Sequence, residues 1–308
     1  MANTKVKTPA DYIVSLNMNG MEGRMLHLEA PKKKRNILFI YGHHSSLERW
    51  WGLVQELHKY GTVTMPDLPG FGGMDTFYKI GQQPTLDNYA DYLAAFIKLR
   101  YKNKKVTIVG LSFGFLVATR MLQRYPELEK RVDMLVSVVG FMHKDEFTFG
   151  KPRYWFYRTM PGIFRHRIPA FVFRNVFISS PVIRTFYAYT HNAKHKFRGI
   201  KPEQKKELMD FEVYLWHCNE VRTYMSTSKE MLTVNNCKVP VNLPVWHIAV
   251  PADNYFDNDK VERDMRIVFT DFHKATARIK NHAPTVIASA KEVAPFIPKK
   301  IRDALRQT

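Results

Sequence analysis

The segment GLSFG at residues 110–114 has the residue types and spacing for nucleophilic chemistry. It follows the β-forming run at residues 106–109 and precedes a stretch typical of a helix, which predicts a sharp strand-to-helix turn with Ser112 at its apex. Gly110 and Gly114 supply the small residues that such a turn needs on either side of the apex. The amino end of the following helix also favours negative charge nearby. Ser112 is therefore the candidate nucleophile.

The segments around Ser112 alternate between strand and helix patterns. Short runs of β-forming residues between turn signals predict strands at residues 12–16, 24–28, 36–41, 62–65, 105–109, 133–139, 244–250 and 276–279. Helical spacing of apolar residues predicts helices at 47–59, 86–99, 113–124 and 258–269, and a final helical region at 284–305. This alternation predicts an α/β fold with a mostly parallel central sheet, antiparallel at its start and covered by helices on both faces.

The alternation stops between residues 142 and 242, where aromatic and basic helical stretches replace β-branched runs. A chain of 308 residues is long enough for one large α/β domain that carries such an insertion. We therefore interpret residues 142–242 as an inserted helical lid. Residues 1–141 and 243–308 are predicted to form the two parts of the core.

Two further motifs make the sequence similar to the α/β-hydrolase family. Residues 37–46, ILFIYGHHSS, resemble the strand and His-Gly turn that supply the oxyanion hole in that family, with Tyr41 in place of the usual histidine and Gly42 after it. Residues 65–73, MPDLPGFGG, are similar to the DxPGFG turn that follows the next strand in many members. The resemblance covers about residues 20–141 and 243–290, and it implies an α/β-hydrolase fold with a serine nucleophile.

The resemblance also implies an oxyanion hole made of two backbone amides. By position in the motifs, these are the amides of His43 and Phe113. The departure at Tyr41 is compatible with this role, because a backbone N–H donor does not depend on that side chain. A metal site at His43 and His44 is disfavoured, because adjacent side chains point in different directions and no carboxylates lie at ligand spacing.

In this family the acid and then the histidine follow the nucleophile along the chain. Residues 244–253, PVWHIAVPAD, indicate a buried strand that ends in a loop with an acid, so the resemblance makes Asp253 the candidate carboxylate. Asp257 is the second choice, although a helix cap explains it equally well. Asp145 and Glu146 follow an earlier strand, at a position that a minority of the family uses.

His282 is the candidate general base. Residues 275–284, ATARIKNHAP, resemble the strand and Gly-His turn of the family, with Asn281 replacing glycine. The interval after Asp253 leaves room for one helix and one strand, as the topology requires. Among the twelve histidines, only His282 combines a strand end with the expected order and spacing.

Together these residues imply acyl transfer to water, with carboxylic esters of apolar acyl or aryl substrates as the first interpretation. A carbon–carbon bond hydrolase or an aminopeptidase would use the same triad. A catalytically silent fold that binds a ligand or a membrane surface is an alternative of another class, compatible with the departures at Tyr41, Leu111 and Asn281. The SxxK pattern at Ser226 and Lys229 lacks a KTG partner and is interpreted as coincidence.

Positive charge is concentrated in the predicted lid. Between Lys151 and Lys206 there are thirteen lysines and arginines against one acid, Glu203, and they account for most of the formal net charge of +19. Aromatic residues interleave with the arginines. This mixture predicts a lid whose apolar face covers an acyl pocket and whose basic face meets an anionic membrane. A packed lid with a solvated arginine face is the alternative, and nucleic acid is disfavoured because no RNA or DNA module is recognisable.

The remaining composition predicts a protein without cofactors. No Walker loop and no GxGxxG motif occurs in the sequence, so a nucleotide cofactor has no support. Neighbouring lysines disfavour a metal at His191 and His195. Cys218 and Cys237 lie outside any CxxC pair, which favours a reducing compartment. Because no secretory signal and no bilayer-length apolar run occurs, we expect a cytoplasmic protein, with the basic lid as its contact to membranes.

Overall fold

One sheet of eight strands organises the described part of the chain, and β5 lies near its middle. The computed structural model describes residues 7–31, 35–189, 202–251, 253–279, 282 and 289–307. The strands are β1 (Ile13–Met18), β2 (Met21–Leu28), β3 (Arg35–Ile40), β4 (Gly61–Pro66), β5 (Val106–Leu111), β6 (Val132–Val138), β7 (Val241–Ala249) and β8 (Phe269–Thr276). Their order is β1-β2-β4-β3-β5-β6-β7-β8. The pairs β1/β2 and β2/β4 are antiparallel and the others are parallel, which confirms the predicted sheet with its antiparallel start.

Helices connect these strands and cover the sheet. In the described residues they are α1 (Trp51–His58), α2 (Leu86–Arg100), α3 (Phe113–Arg124), α4 (Lys151–Phe164), α5 (Arg167–Val176), α6 (Ser180–Tyr189), α7 (Pro202–Cys218), α8 (Val221–Met231), α9 (Asn258–Val268), α10 (Ala290–Val293) and α11 (Lys299–Arg306). The predicted helix at residues 113–124 matches α3 at both ends.

The middle of the sheet is covered on both faces. Leu53 of α1 and Ile301 of α11 line one small cavity together with Val109 of β5, so these two helices cover the face to which Val109 points. Side chains alternate along a strand, so Gly110 points to the opposite face, where a Cβ on it would meet Phe115 of α3. Every residue of β5 is buried as a result, which explains its unbroken apolar sequence.

The last strand differs from the prediction. A strand was expected at residues 276–279, but β8 occupies Phe269–Thr276. β8 lies at the edge of the sheet and buries only Phe269, Phe272 and Ala275, with polar residues between them. The sequence of an edge strand therefore lacks the apolar run on which the prediction relied. Of the helical region predicted at residues 284–305, the described part contains the short α10 and α11.

Helices α4 to α8 all lie between β6 and β7, and we call them the insert. The insert has small apolar clusters separate from the main core. One cluster contains Ala170, Ile178, Ile183, Val221 and Met225, and another contains Leu208, Met209 and Leu215. The insert is therefore held together partly by its own side chains. His191 and His195 lie outside the described residues.

Candidate active site

Ser112 lies at the apex of the turn between β5 and α3. Its backbone has φ 48° and ψ −114°, a left-handed conformation that is costly for a residue with a side chain. The surrounding structure holds it there: the Ser112 amide donates to the carbonyl oxygen of Val138 at 2.9 Å, and the Ser112 carbonyl accepts from the amides of Phe115 at 3.0 Å and Leu116 at 3.2 Å. The strain that the GLSFG motif predicts is therefore present at its serine.

The glycines around Ser112 permit close approaches of backbone. A Cβ on Gly110 would lie 2.6 Å from the Cα of Phe115, and a Cβ on Gly114 would collide with the carbonyl oxygens of Ile40 and Tyr41. A Cβ on Gly42 would lie 2.7 Å from the Leu111 side chain and 3.5 Å from the Cβ of Ser112. The loop after β3 is therefore packed directly against the serine turn.

His282 and Asp253 meet although 29 residues separate them in the chain. The His282 Nδ1 atom lies 2.6 Å from Asp253 Oδ2, and the Asp253 side chain is almost completely buried. The other carboxylate oxygen, Oδ1, accepts the backbone amides of Tyr255 at 2.8 Å and Phe256 at 3.2 Å. Because both oxygens are engaged, the carboxylate has a fixed orientation toward the imidazole.

Topology brings these residues to the edge of the sheet where Ser112 lies. Ser112 follows β5, Asp253 follows β7 and His282 follows β8, and these strands belong to the parallel part of the sheet. The carboxyl ends of parallel strands share one edge, which is where α/β sheets bind ligands. The imidazole of His282 also contacts the rings of Tyr255 and Phe256, with ring centroids 5.0 and 5.4 Å apart.

The alternative acids have other partners in the structure. Asp257 caps α9, because its Oδ1 accepts the amides of Asp259 at 3.1 Å and Lys260 at 3.3 Å. Asp145 is exposed. Glu146 is buried and accepts the amides of Met142 and His143. Burial and the neighbouring carboxylate of Asp264 raise the pKa of Glu146 to about 9, so it is protonated at neutral pH.

The imidazole of His43 is enclosed beside the serine turn. Its ring contacts those of Phe71, Phe113 and Tyr224, with centroids 5.4, 5.8 and 4.6 Å apart. Burial lowers the pKa of His43 to about 4, so the ring is neutral near pH 7. A neutral aromatic wall here can accommodate an apolar group.

Two oxygens of α8 favour one tautomer of His43. Its Nε2 atom lies 2.8 Å from the Thr227 hydroxyl oxygen and 3.3 Å from the Tyr224 carbonyl oxygen. A carbonyl oxygen can only accept, and the Thr227 hydroxyl has a carbonyl acceptor of its own in Thr223 at 2.8 Å. This arrangement favours a proton on Nε2, which His43 donates to Thr227 and Tyr224. The insert thus holds the side chain of His43, the residue whose backbone amide is a predicted oxyanion donor.

The amides of His43 and Phe113 differ from most backbone donors of the core. Phe113 is the first residue of α3, so its N–H has no acceptor within the helix. Among the described residues, no acceptor is assigned to the amide of His43 or to that of Phe113. Both amides border the contact between Gly42 and Ser112. They are therefore available to a ligand oxygen at this place.

Sequence patterns did not identify how α8 attaches to the core. Asn219, just before α8, accepts the Gly72 amide at 2.9 Å, and the Gly70 carbonyl accepts the Glu220 amide at 2.9 Å. Further along α8, Glu230 accepts the amide of Leu86 at 3.0 Å. These polar residues carry no motif, and only Glu230 lies within one helical turn of Thr227, three residues further along α8.

The departure at Tyr41 has a structural explanation. The Tyr41 hydroxyl donates to Asp67 Oδ1 at 2.9 Å and accepts the Leu68 amide at 2.8 Å. Burial raises the pKa of the Tyr41 phenol, so it keeps the proton that it donates. Arg24 contacts the other oxygen of Asp67 at 3.0 Å and Glu48 at 2.7 Å. Tyr41 therefore joins the oxyanion loop to the turn at residues 65–73.

Two kinds of feature are not found among the described residues, a metal centre and a membrane-spanning helix. The rings of His43 and His44 both contact Tyr224, at centroid distances of 4.6 and 5.2 Å, and the ring of His44 also contacts Trp216 at 4.3 Å. No group of three His, Cys, Asp or Glu side chains in the described ranges is arranged to hold a metal ion. Likewise, none of the described helices has the length and apolar content to cross a bilayer.

Comparisons with known proteins agree with this fold. A sequence model described as the α/β-hydrolase fold matches residues 35–217. Methylesterase 1 of Arabidopsis thaliana is 27% identical over 129 residues, which are 40% of this chain and 48% of that protein. The match therefore spans about half the length of that relative.

Solved structures resemble the whole described fold. A thermophilic esterase from Thermogutta terrifontis superposes with a TM-score of 0.64 at 16% identity, covering 96% of this chain and 98% of that one. The enol-lactonase of Burkholderia xenovorans superposes with a TM-score of 0.63 at 14% identity, covering 96% and 100%. At these identities the likeness concerns the fold.

Proposed function

The chain belongs to the α/β-hydrolase family, and from this premise we propose that it is a serine hydrolase that cleaves carboxylic esters of apolar acyl or aryl substrates. Ser112 is the nucleophile, His282 the general base and Asp253 the carboxylate that orients the base. The observation that carries the proposal is the 2.6 Å contact between His282 Nδ1 and Asp253 Oδ2, at the sheet edge where Ser112 occupies its strained turn.

The contact assigns roles to the two ring nitrogens of His282. Nδ1 donates to Asp253, so Nε2 is the nitrogen that accepts the proton of the Ser112 hydroxyl. The alkoxide attacks the ester carbonyl, and the amides of His43 and Phe113 hold the oxyanion. When the intermediate collapses, His282 returns the proton to the leaving alcohol. A water molecule then gives a proton to His282 while its oxygen attacks the acyl carbonyl. As the bond from the acyl group to Ser112 breaks, His282 passes that proton to the Ser112 oxygen, which releases the acid and regenerates the serine.

The surroundings of the oxyanion loop support an apolar substrate. The rings of Phe71, Phe113 and Tyr224 contact His43, and Trp216 contacts His44. We propose that the insert, residues 142–242, acts as a lid over the core formed by residues 1–141 and 243–308. The similar proteins are named as an esterase, a methylesterase and an enol-lactonase, and these names agree with ester cleavage.

The substrate is proposed to be a small-molecule or lipid ester, and the protein is proposed to work next to an anionic membrane. The positive charge of residues 151–206 supports the second part, because the thirteen lysines and arginines of this window against one acid account for most of the formal net charge of +19. Attraction of this kind weakens as salt is added.

A fluorophosphonate probe tests the nucleophile. We expect one covalent adduct on Ser112, located by mass spectrometry, and loss of labelling in Ser112→Ala. Ser226→Ala is the matched control, because Ser226 begins the SxxK pattern and bonds to the Tyr78 hydroxyl instead; it is expected to label normally. Folded protein without an adduct, or with the adduct on another serine, would overturn the proposal.

Hydrolysis of p-nitrophenyl esters of graded chain length tests the acid and the substrate class. Asp253→Asn is expected to lower kcat by about 10³- to 10⁴-fold, because the imidazole loses its orienting partner. Asp257→Asn is the matched control and is expected to stay within about twofold, since asparagine caps a helix as well as aspartate does. Equal losses in both variants would contradict the role of Asp253.

A further inference from the structure

The outward face of α5 consists of apolar side chains in contact with water. Ile168, Phe171, Val172 and Val176 follow the spacing i, i+3, i+4 and i+8, which places them on one side of the helix. All four are exposed, Ile168 to 77% and Phe171 to 68%. We call these four residues the α5 face. The opposite side of the helix carries Ala170, which is buried in the insert's own apolar cluster.

The α5 face therefore does not take part in the packing of the described insert. A helix on the surface of a water-soluble domain normally buries its apolar stripe and exposes polar residues. Here the helix has two apolar sides, and only one of them is buried among the described residues. Trp155 and Phe156 of α4 and Phe186 of α6 are exposed as well. Large exposed apolar side chains grouped on one helix face are typical of an interaction site.

The charges of the chain segment that carries the α5 face have one sign. Residues 151–187 contain seven lysines and arginines and no aspartate or glutamate. Arg167 and Arg174 are seven residues apart on α5 and are both exposed. By helical periodicity they lie beside the apolar stripe rather than opposite it. A partner of this surface must therefore offer negative charge next to an apolar phase.

We propose that the α5 face inserts into the headgroup and acyl boundary of an anionic lipid bilayer, with Arg167 and Arg174 contacting the headgroups. Anionic lipid supplies both properties in the required arrangement, a charged layer above an apolar one. This differs from a lid whose apolar side only covers a pocket. The bilayer is then the source of the ester for the proposed hydrolase, and this part of the inference rests on the proposed function.

Vesicle sedimentation tests the insertion, with phosphatidylcholine vesicles that contain or lack phosphatidylglycerol. Ile168→Ser combined with Phe171→Ser is expected to weaken binding to the anionic vesicles at least about tenfold, because the side chains no longer leave water. Leu99→Ser combined with Ile267→Ser is the matched control, with side chains of comparable exposure, 62% and 59%, on the core. The control is expected to bind like the unchanged protein.

The salt dependence of vesicle binding distinguishes insertion of apolar side chains from electrostatic attraction to the headgroups. Arg167→Gln combined with Arg174→Gln is expected to weaken binding about tenfold at low salt, and this difference should shrink at high salt. The difference caused by the serine substitutions should persist at high salt. Equal binding of the Ile168/Phe171 variant and the unchanged protein would overturn the proposal. So would a concentration-dependent dimer in sedimentation velocity that those substitutions abolish, or release from vesicles by competing RNA.

Two further measurements distinguish failure of the membrane-insertion proposal from failure of the hydrolase proposal. Ser112→Ala is expected to bind vesicles normally, so failure of the hydrolase proposal leaves the surface testable. In the active protein, the Ile168/Phe171 variant should hydrolyse a long-chain p-nitrophenyl ester dissolved in anionic vesicles about tenfold more slowly. The same variant should hydrolyse a short water-soluble ester at the normal rate. Equal losses on both esters would contradict delivery from the bilayer.

Discussion

Phenylalanine occurs in both the sheet and the insert, and its surroundings differ between the two. Phe39 of β3 is completely buried and packs edge-on against Trp50, whereas Phe171 of α5 is 68% exposed. Burial of apolar surface in the core stabilises the fold. The same side chain on α5 contributes little to folding and remains available to another phase. The core is thus packed by side chains of the described chain itself, while the outward face of α5 is left exposed to water.

The largest expected effect comes from truncating these two phenylalanines. Phe39→Ala is expected to lower the free energy of unfolding by about 3–5 kcal/mol, because it leaves a cavity in a packed core. Phe171→Ala is expected to change it by less than about 0.5 kcal/mol. Urea unfolding followed by circular dichroism measures both. Similar losses would mean that α5 packs against something within the chain, and the contrast between the regions would fail.

A second pair of substitutions compares two glycines. Gly114→Ala is expected to destabilise the protein by about 1–3 kcal/mol or more, because the new methyl group collides with backbone carbonyls of β3 and the oxyanion loop. Gly162→Ala, within α4, meets nothing within 4 Å and is expected to stabilise by about 0.5–1 kcal/mol through helix propensity. Thermal unfolding shows whether each variant loses or gains stability. A Gly114→Ala variant as stable as the unchanged protein would contradict the close approach at the serine turn.

The stability of the protein is expected to depend on pH through a buried carboxyl at the junction between the core and the insert. Glu146 lies between β6 and α4, and burial and Asp264 raise its pKa from 4.5 to about 9. Its protonated form therefore adds stability that is complete below pH 4.5 and is lost as the pH rises toward about 9. Glu146→Gln, which cannot ionise, should flatten the fall of Tm between pH 4.5 and about 9. Asp145→Asn, which removes an exposed neighbouring carboxylate, should leave the fall unchanged.

Two enclosed histidines are expected to make the stability depend on pH in the opposite direction, with a loss of stability at acidic pH. Burial lowers the pKa of His43 from 6.5 to about 4 and that of His247 to about 3. The unfolded chain therefore binds protons that the folded chain does not, and stability should fall as the pH drops from about 6.5 toward 4. The Glu146→Gln variant removes the opposing effect of Glu146, so a Tm of this variant that stays constant over the range would contradict the enclosure of both rings.

The smallest effect is expected at the contact between α8 and the oxyanion loop. Thr227→Val removes the acceptor of the His43 Nε2 proton and should lower kcat by about tenfold with little change in KM, the result of one displaced oxyanion donor. Thr227→Ser keeps the hydroxyl and should restore kcat. A change in stability alone, with kcat unaltered, would show that the insert does not position this loop.

The local motifs of the sequence determined the elements that form without distant partners. GLSFG predicted the turn at Ser112, because only small neighbours allow a strand and a helix to meet so closely. The buried strands were predictable from their apolar runs, whereas β8 was placed too late because an edge strand exposes most of its side chains. Asp253 and His282 were proposed from a resemblance, and the structure places them in contact.

Tertiary structure alone decided which side chains face each other across long stretches of chain. The bond from Thr227 to His43, the Tyr41 contact with Asp67 and the raised pKa of Glu146 depend on packing between elements far apart in sequence. The spacing of the apolar residues of α5 can be read from the sequence, but the side of the helix that the fold leaves in water cannot. Periodicity defines the faces of a helix, while the neighbours that cover each face are set by the whole fold.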